Sequence, residues 1–281
     1  MSPDGRRINP HGADSVAVLA RGSWPAERLR TTWGGSSHCL PAPYQEQVDD
    51  AWVDALAVPG VRLFNGALCR LEAHEVDEHG LHLRLSRTTY KDYLGTNVRH
   101  PDWSEPQLLA NPVGTSVALL SGDGILVFGM RGDSVALYPR HAHPFGGTME
   151  VPEPGSTVDL IAEMAREIEE EIGINRHELD DLRAIALTED RILRQPELVY
   201  AARTSLACAN IMVRLDLHEH TACWTVPDDA SAIEAVLCGP MPVSPVLRAT
   251  LLAWGAERFG VTWLSAALQL SPHRPSGSAP T

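Results

Sequence analysis

The chain has 281 residues, of which 44% are hydrophobic and 21% charged, and carries a formal net charge of −13. That length holds one large domain or two ordinary ones, with ample material for a core. The acidic balance excludes nucleic-acid polymers and anionic membrane surfaces as main partners, because both are met through basic patches; a small anionic ligand stays compatible, since a bound cation and a few arginines reverse the potential inside one cleft.

Residues 1–14 read as loose, with two arginines but no apolar run of the signal-peptide kind, and no later stretch reaches the length of a membrane span. Residues 15–19 suit a short strand, 25–30 a turn or helix, and 46–56 a helix. From 61 to 87 apolar and polar residues alternate around Glu78-His79-Gly80, as in LHLRLS, which predicts a hairpin with one buried face. Residues 88–97, TTYKDYLGTN, hold more hydrogen-bonding and aromatic groups than a connector needs. Tyr90 and Tyr93 at i and i+3 can pack a short helix ended by Gly95, or they can face a ligand, and the residues alone do not choose.

After a connection over 101–112, the runs 115–120 and 125–130 flank Ser121-Gly122-Asp123-Gly124, a second hairpin. A loop, PRHAHPFGG, leads to a helix that carries REIEEEIGI from Arg166. At about 100° per residue, Glu167, Glu170 and Glu171 share one helix face. Ile161, Met164, Ala165, Ile168 and Ile172 form the apolar stripe opposite. Ser156 and Asp159 stand in a capping relation at the start, and Gly173 suits the left-handed end. Like charges on one face cost stability, and a hard divalent cation offsets the repulsion because Mg²⁺ takes oxygen ligands. An ordinary solvated acidic face is the plainer alternative.

Strands are predicted over 182–187 and 198–203, a helix over 246–259, and a mobile tail rich in Pro, Ser and Gly over 271–281. There is no internal repeat. Strands and helices without regular βαβ alternation predict an α+β fold. The pairs His141/His143 and His218/His220 have a spacing that suits one strand face but lack a full ligand set, so both are left out of the site. Five cysteines (Cys39, Cys69, Cys208, Cys223, Cys238), scattered and without a C-x-x-C pair, read as reduced thiols, and the expectation is a soluble cytoplasmic protein.

Arg166-Glu167, Glu170-Glu171 and the following Gly-Ile, with Gly146-Gly147 upstream, resemble the Nudix signature G-x5-E-x7-R-E-U-x-E-E-x-G-U. The match is incomplete in its first half: Val158 stands where the pattern has a glutamate, and the stretch from Gly147 to Arg166 is several residues longer than usual. Over residues 60–205, the runs LHLRLSRTTYKDYLGTN, NPVGTSVALLSGDGILVF and PFGGTMEV are similar in order to the animal UDP-glucose and UDP-galactose diphosphatase subgroup.

The resemblance implies a Nudix-type α/β/α sandwich with a mixed sheet over 111–270. A smaller N-terminal α+β region over 1–110 would contribute to the substrate pocket. It implies hydrolysis of a nucleoside diphosphate sugar to a nucleoside monophosphate and a sugar 1-phosphate, with Mg²⁺ or Mn²⁺ held by Glu167, Glu170, Glu171 and a carbonyl of Gly146 or Gly147. Arg166 would orient a glutamate. Tyr90, Lys91, Tyr93, Thr96, Asn97, Arg140 and Glu197 are the expected substrate contacts. The alternatives are another diphosphate such as ADP-ribose, or a noncatalytic nucleotide sensor. The general base, the base and sugar preference and the oligomeric state stay open.

Overall fold

The computed structural model describes residues 9, 12–58, 63–133, 135–153 and 157–270. The 1–14 and 61–87 expectations fall partly, and the 271–281 tail wholly, outside these residues.

In chain order the strands are β1 (Val16–Trp24), β2 (Leu29–Ser37), β3 (Ala67–Asp77), β4 (Gly80–Thr89), β5 (Gly114–Leu120), β6 (Ile125–Arg131), β7 (Ala142–His143), β8 (Leu179–Asp190), β9 (Gln195–Thr204) and β10 (His220–Pro227). The helices are α1 (Ala42–Leu56), α2 (Tyr90–Tyr93), α3 (Leu160–Ile172), α4 (Cys208–Met212), α5 (Ala230–Cys238) and α6 (Pro245–Ala267). A mixed sheet runs β1-β8-β9-β5-β6-β10, with β7 on β6, and a three-stranded sheet runs β2-β4-β3.

Strand alternation builds two cores on the two faces of the large sheet. Along β5, Val117 and Leu119 join one core while Ala118 and Leu120 join the other; along β9, Leu198 and Tyr200 alternate in the same way with Val199 and Ala201. The first core receives the apolar stripe of α3, and the second is covered by α5 and α6. Leu81, Leu83 and Leu85 of β4 face the α3 core, so the small sheet packs beside the acidic helix. The fold is thus a mixed α+β sandwich, with β1 from the N-terminal region paired to β8 in the large sheet.

The expected hairpins form, but β5 and β6 pair only at Leu119↔Val127 and Leu120↔Leu126. Away from the turn, β5 is bridged by the segment after β7 at Val117↔Phe145 and Gly114↔Thr148, while on its other edge β5 runs parallel to β9 over its whole length. β2, β10 and α5 have no counterpart among the sequence expectations. The predicted helix over 246–259 runs on to Ala267 across a break at Gly260. Gly95 does not end α2; the chain continues through a wide turn, Leu94–Val98, of π type.

Asp159 itself caps α3, accepting from the N–H groups of Ile161 (3.1 Å) and Ala162 (3.0 Å), whereas the Ser156 of the expected capping pair lies outside the described residues. Gly173 closes the helix in the left-handed conformation, with φ 62°. Among the described residues no helix is long and apolar enough to cross a membrane, and all five cysteines are free.

Since Asp159 serves two otherwise open N–H groups, Asp159→Ala is expected to lower stability by about 1 kcal/mol in urea denaturation. An unchanged midpoint and slope would show that α3 does not depend on this cap.

Candidate active site

The segment after β7 bridges to β5 at Val117↔Phe145 and Gly114↔Thr148, which lays Gly146 and Gly147 over the acidic face of α3. Gly146 has φ +145°, and a Cβ there would meet the Thr115 carbonyl oxygen at 1.9 Å; only glycine fits. A Cβ on Gly147 would meet Glu167 Oε1 at 2.7 Å. The paired glycines therefore let backbone and carboxylates approach closely.

Each glutamate is held differently. Glu171 Oε2 accepts the Gly146 N–H at 2.6 Å, and its Oε1 lies 3.2 Å from His220 Nε2. Burial pushes its carboxyl above the usual range, and His220 and the Gly146 N–H offset part of that. Glu167 lies against Arg166 at 2.7 Å. Burial raises its carboxyl to about 7; Arg166 opposes the shift, while Glu171 and Glu170 add to it. Glu170, the most exposed of the three, also meets Arg166 at 2.7 Å, and the same guanidinium reaches Glu163 at 3.2 Å.

Of these, Gly146, Gly147, Arg166, Glu167 and Glu170 line a cleft of about 600 Å³, while Glu171 is not among its lining residues. Arg166, Glu167, Glu170, Gly146, Gly147 and Glu150 form one stretch of its wall, and Tyr90, Tyr93, Tyr138, Gln195 and Glu197 contribute elsewhere. Tyr93 donates to Gln195 Oε1 at 2.5 Å, and Tyr138 donates to Asp190 Oδ2 at 2.5 Å. Glu197 is 5% exposed, and burial drives its carboxyl to about 8, with a Ser116 hydrogen bond opposing and Asp190 reinforcing the shift. Burial thus favours the protonated form of that group.

The expected site residues are distributed between the cleft and the scaffold. Among the described residues no three His, Cys, Asp or Glu side chains are gathered to hold a metal ion. Arg166 ties Glu167 and Glu170 to itself, while Glu171 turns to Gly146 and His220. The Gly147 carbonyl accepts the Thr115 N–H at 2.8 Å and so is engaged in the fold.

Thr96 and Asn97 are fully buried and stitch the fold. Thr96 donates to the Asp92 carbonyl at 2.6 Å, and Asn97 donates to the Leu193 and Arg194 carbonyls at 2.9 and 3.1 Å. Lys91 pairs with Asp49 at 2.6 Å and Arg140 with Asp133 at 3.4 Å; neither is among the residues lining the cleft. Tyr90, Tyr93 and Glu197 do line it.

Three residues set aside in sequence return here. His143 and His218 line the cleft, and His220 supports Glu171. Their spacing of two was the available signal, but its meaning depends on β10 pairing with β6, which no local pattern announces. Arg131, the last residue of β6, also lines the cleft and had no sequence signal.

The donor set has the chemistry of a hard-cation site. It offers only carboxylate oxygens, and mutual repulsion helps raise the proton affinity of Glu167, which a divalent cation would relieve.

In sequence, the chain is 30% identical over 195 residues to the uridine diphosphate glucose pyrophosphatase NUDT22 of Mus musculus, covering 60% of this chain and 61% of that protein. Over 108 residues it is 37% identical to the protein of the same name from Bos taurus, covering 33% of this chain and 36% of the relative. The chain resembles the Nudix hydrolases of the UDP-glucose pyrophosphatase group. It matches at most 61% of the length of these relatives. No protein-family model matches the chain. Among solved structures, DR0079 from Deinococcus radiodurans aligns with a TM-score of 0.39 at 17% identity, over 50% of this chain and 80% of that one. The Nudix resemblance and the acidic helix meet at the same residues, 166–174.

The buried Glu197 has a pH signature. Its folded value of about 8 lies above the ordinary 4.5, so stability falls as pH rises from 4.5 through about 8, because the unfolded chain releases this proton first. Glu197→Gln removes that loss. The variant should melt like the parent near pH 4.5 and several degrees higher at pH 9; equal melting temperatures at pH 9 would show that Glu197 is not a buried neutral acid.

Proposed function

We propose that the chain is a divalent-cation-dependent diphosphatase that hydrolyses a nucleoside diphosphate sugar of the UDP-glucose or UDP-galactose kind to a nucleoside monophosphate and a sugar 1-phosphate. The observation that carries this reading is the glutamate face of α3 opening on a cleft that also holds Tyr90 and Tyr93. The resemblance to the uridine diphosphate glucose pyrophosphatases of mouse and cattle supports it.

In this reading Glu167, Glu170 and Glu171 hold Mg²⁺ or Mn²⁺. The cation, when bound, supplies Lewis acidity toward a phosphoryl oxygen and lowers the pKa of water. Arg166 fixes Glu167 and Glu170 through short ion pairs and shares its positive charge between them. Glu171 is held in place by the Gly146 N–H and by His220. Tyr90 and Tyr93 stand edge to face with ring centroids 6.2 Å apart and give the nucleoside an aromatic wall. Glu197 keeps a proton and offers the cleft a hydrogen-bond donor. Hydrolysis forms one bond from water oxygen to phosphorus and breaks one phosphoanhydride bond, so no redox partner is needed. The region 1–110 serves this site by supplying Leu68, Tyr90 and Tyr93 to the cleft.

A second reading, a noncatalytic nucleotide sensor, takes support from Arg166 holding two of the three glutamates. Catalysis and sensing separate in one assay. With Mg²⁺ in ¹⁸O water, mass spectrometry should find UMP and sugar 1-phosphate from UDP-glucose, with ¹⁸O on one product. Glu170→Gln should lower kcat at least about a hundredfold while the chain stays folded. Turnover of ADP-ribose without turnover of UDP-sugars would move the substrate to the other diphosphate, and no turnover of any diphosphate would favour the sensor.

A further inference from the structure

Two guanidiniums line the cleft among the described residues, and they are not equivalent. Arg166 is taken up by three carboxylates, Glu163, Glu167 and Glu170. Arg131 is not: among the described residues its Nε is buried without a hydrogen-bond partner, and its ion pair to Glu219 is long at 3.5 Å. Glu219 is itself 56% exposed while the Arg131 side chain is 14% exposed. A loose pair with a solvated carboxylate does not compensate a guanidinium withdrawn from water, whose donors are costly to leave unmade.

The backbone at Arg131 is fixed on both sides. Its N–H donates to the His141 carbonyl at 3.0 Å, and its own carbonyl accepts from the Arg140 N–H at 3.1 Å. The residue thus projects from the end of a sheet strand, a rigid support for a binding group. The rest of the wall is rich in acid: Glu150, Glu167, Glu170 and Glu219 line the cleft. An anionic substrate entering that field needs a cation with donors to spare. Lys91 and Arg140 are paired with Asp49 and Asp133 and are not among the lining residues.

We propose that Arg131 is the phosphate-holding residue of the cleft, its guanidinium fork binding non-bridging oxygens of the substrate's diphosphate. This deepens the diphosphatase reading and rests on it. The planar fork suits two phosphate oxygens at once, which a lysine cannot reproduce. Glu219 is the resting counter-ion and gives up Arg131 when phosphate arrives, so the guanidinium, already withdrawn from water, does not have to be desolvated again.

The test is calorimetric titration of the full chain, as wild type, Arg131→Gln and Arg131→Lys, with inorganic pyrophosphate and with UDP-glucose in Ca²⁺ in place of Mg²⁺. Melting temperature and circular dichroism report folding. Arg131→Gln is expected to weaken both ligands tenfold or more, and Arg131→Lys is expected to fall between wild type and Arg131→Gln. Weakening of less than tenfold in a folded Arg131→Gln overturns the proposal. If Arg131→Gln does not fold, Arg131→Lys is read alone: at least threefold weaker pyrophosphate binding supports the proposal and anything less overturns it. Wild-type turnover of UDP-glucose with unaltered binding in the variants removes the Arg131 role and leaves the function standing. Pyrophosphate binding that depends on Arg131, without UDP-glucose turnover, leaves the Arg131 role and removes the function.

Discussion

The repulsion among Glu167, Glu170 and Glu171 on one face of α3 is the constraint around which the site is arranged. Without compensation these carboxylates would strain a helix whose other face is committed to the core. The fold answers with Arg166 between Glu167 and Glu170, the Gly146 N–H and His220 on Glu171, and a close backbone passage that only glycines permit. Compensation is incomplete, since Glu167 still has its carboxyl raised to about 7, first by burial and then by the neighbouring glutamates. A surface that was merely solvated would have no reason to bury this charge.

The two-faced sheet explains how that helix is presented. Val117 and Leu119 bind it to one core, while α6 seals the opposite face through Ala118 and Leu120. The acidic edge of α3 meets Gly146 and Gly147, through the Gly146 N–H on Glu171 and the close approach of Glu167 to Gly147. The small sheet, packed through Leu81, Leu83 and Leu85, then delivers the Tyr90–Tyr93 turn to the same cleft.

Local pattern made the acidic face, the apolar stripe and the left-handed end of α3 legible in the sequence, because each depends on residues within a turn or two of one another. The alternation in LHLRLS announced β4 for the same reason. What stayed hidden depends on pairing between distant segments. His220 reaches Glu171 only because β10 lies on β6, and Arg131 enters the cleft only because β6 ends beside the loop from Tyr138 to His141. Thr96 and Asn97 look like ligand contacts in sequence, yet their partners are backbone carbonyls, with those of Asn97 at Leu193 and Arg194 nearly a hundred residues away. Polar side chains next to aromatic ones carry no label that separates scaffold from contact.

On the proposed reading, the α3 carboxylates form a divalent-cation site once Arg166 shares them with a metal. Electron paramagnetic resonance of Mn²⁺ titrated into the full chain and into Glu167→Gln tests it without reliance on any substrate. The account predicts saturable Mn²⁺ binding by the wild type and its loss or strong weakening in the variant. Absence of saturable binding in the wild type, or equal affinity in Glu167→Gln, would contradict it.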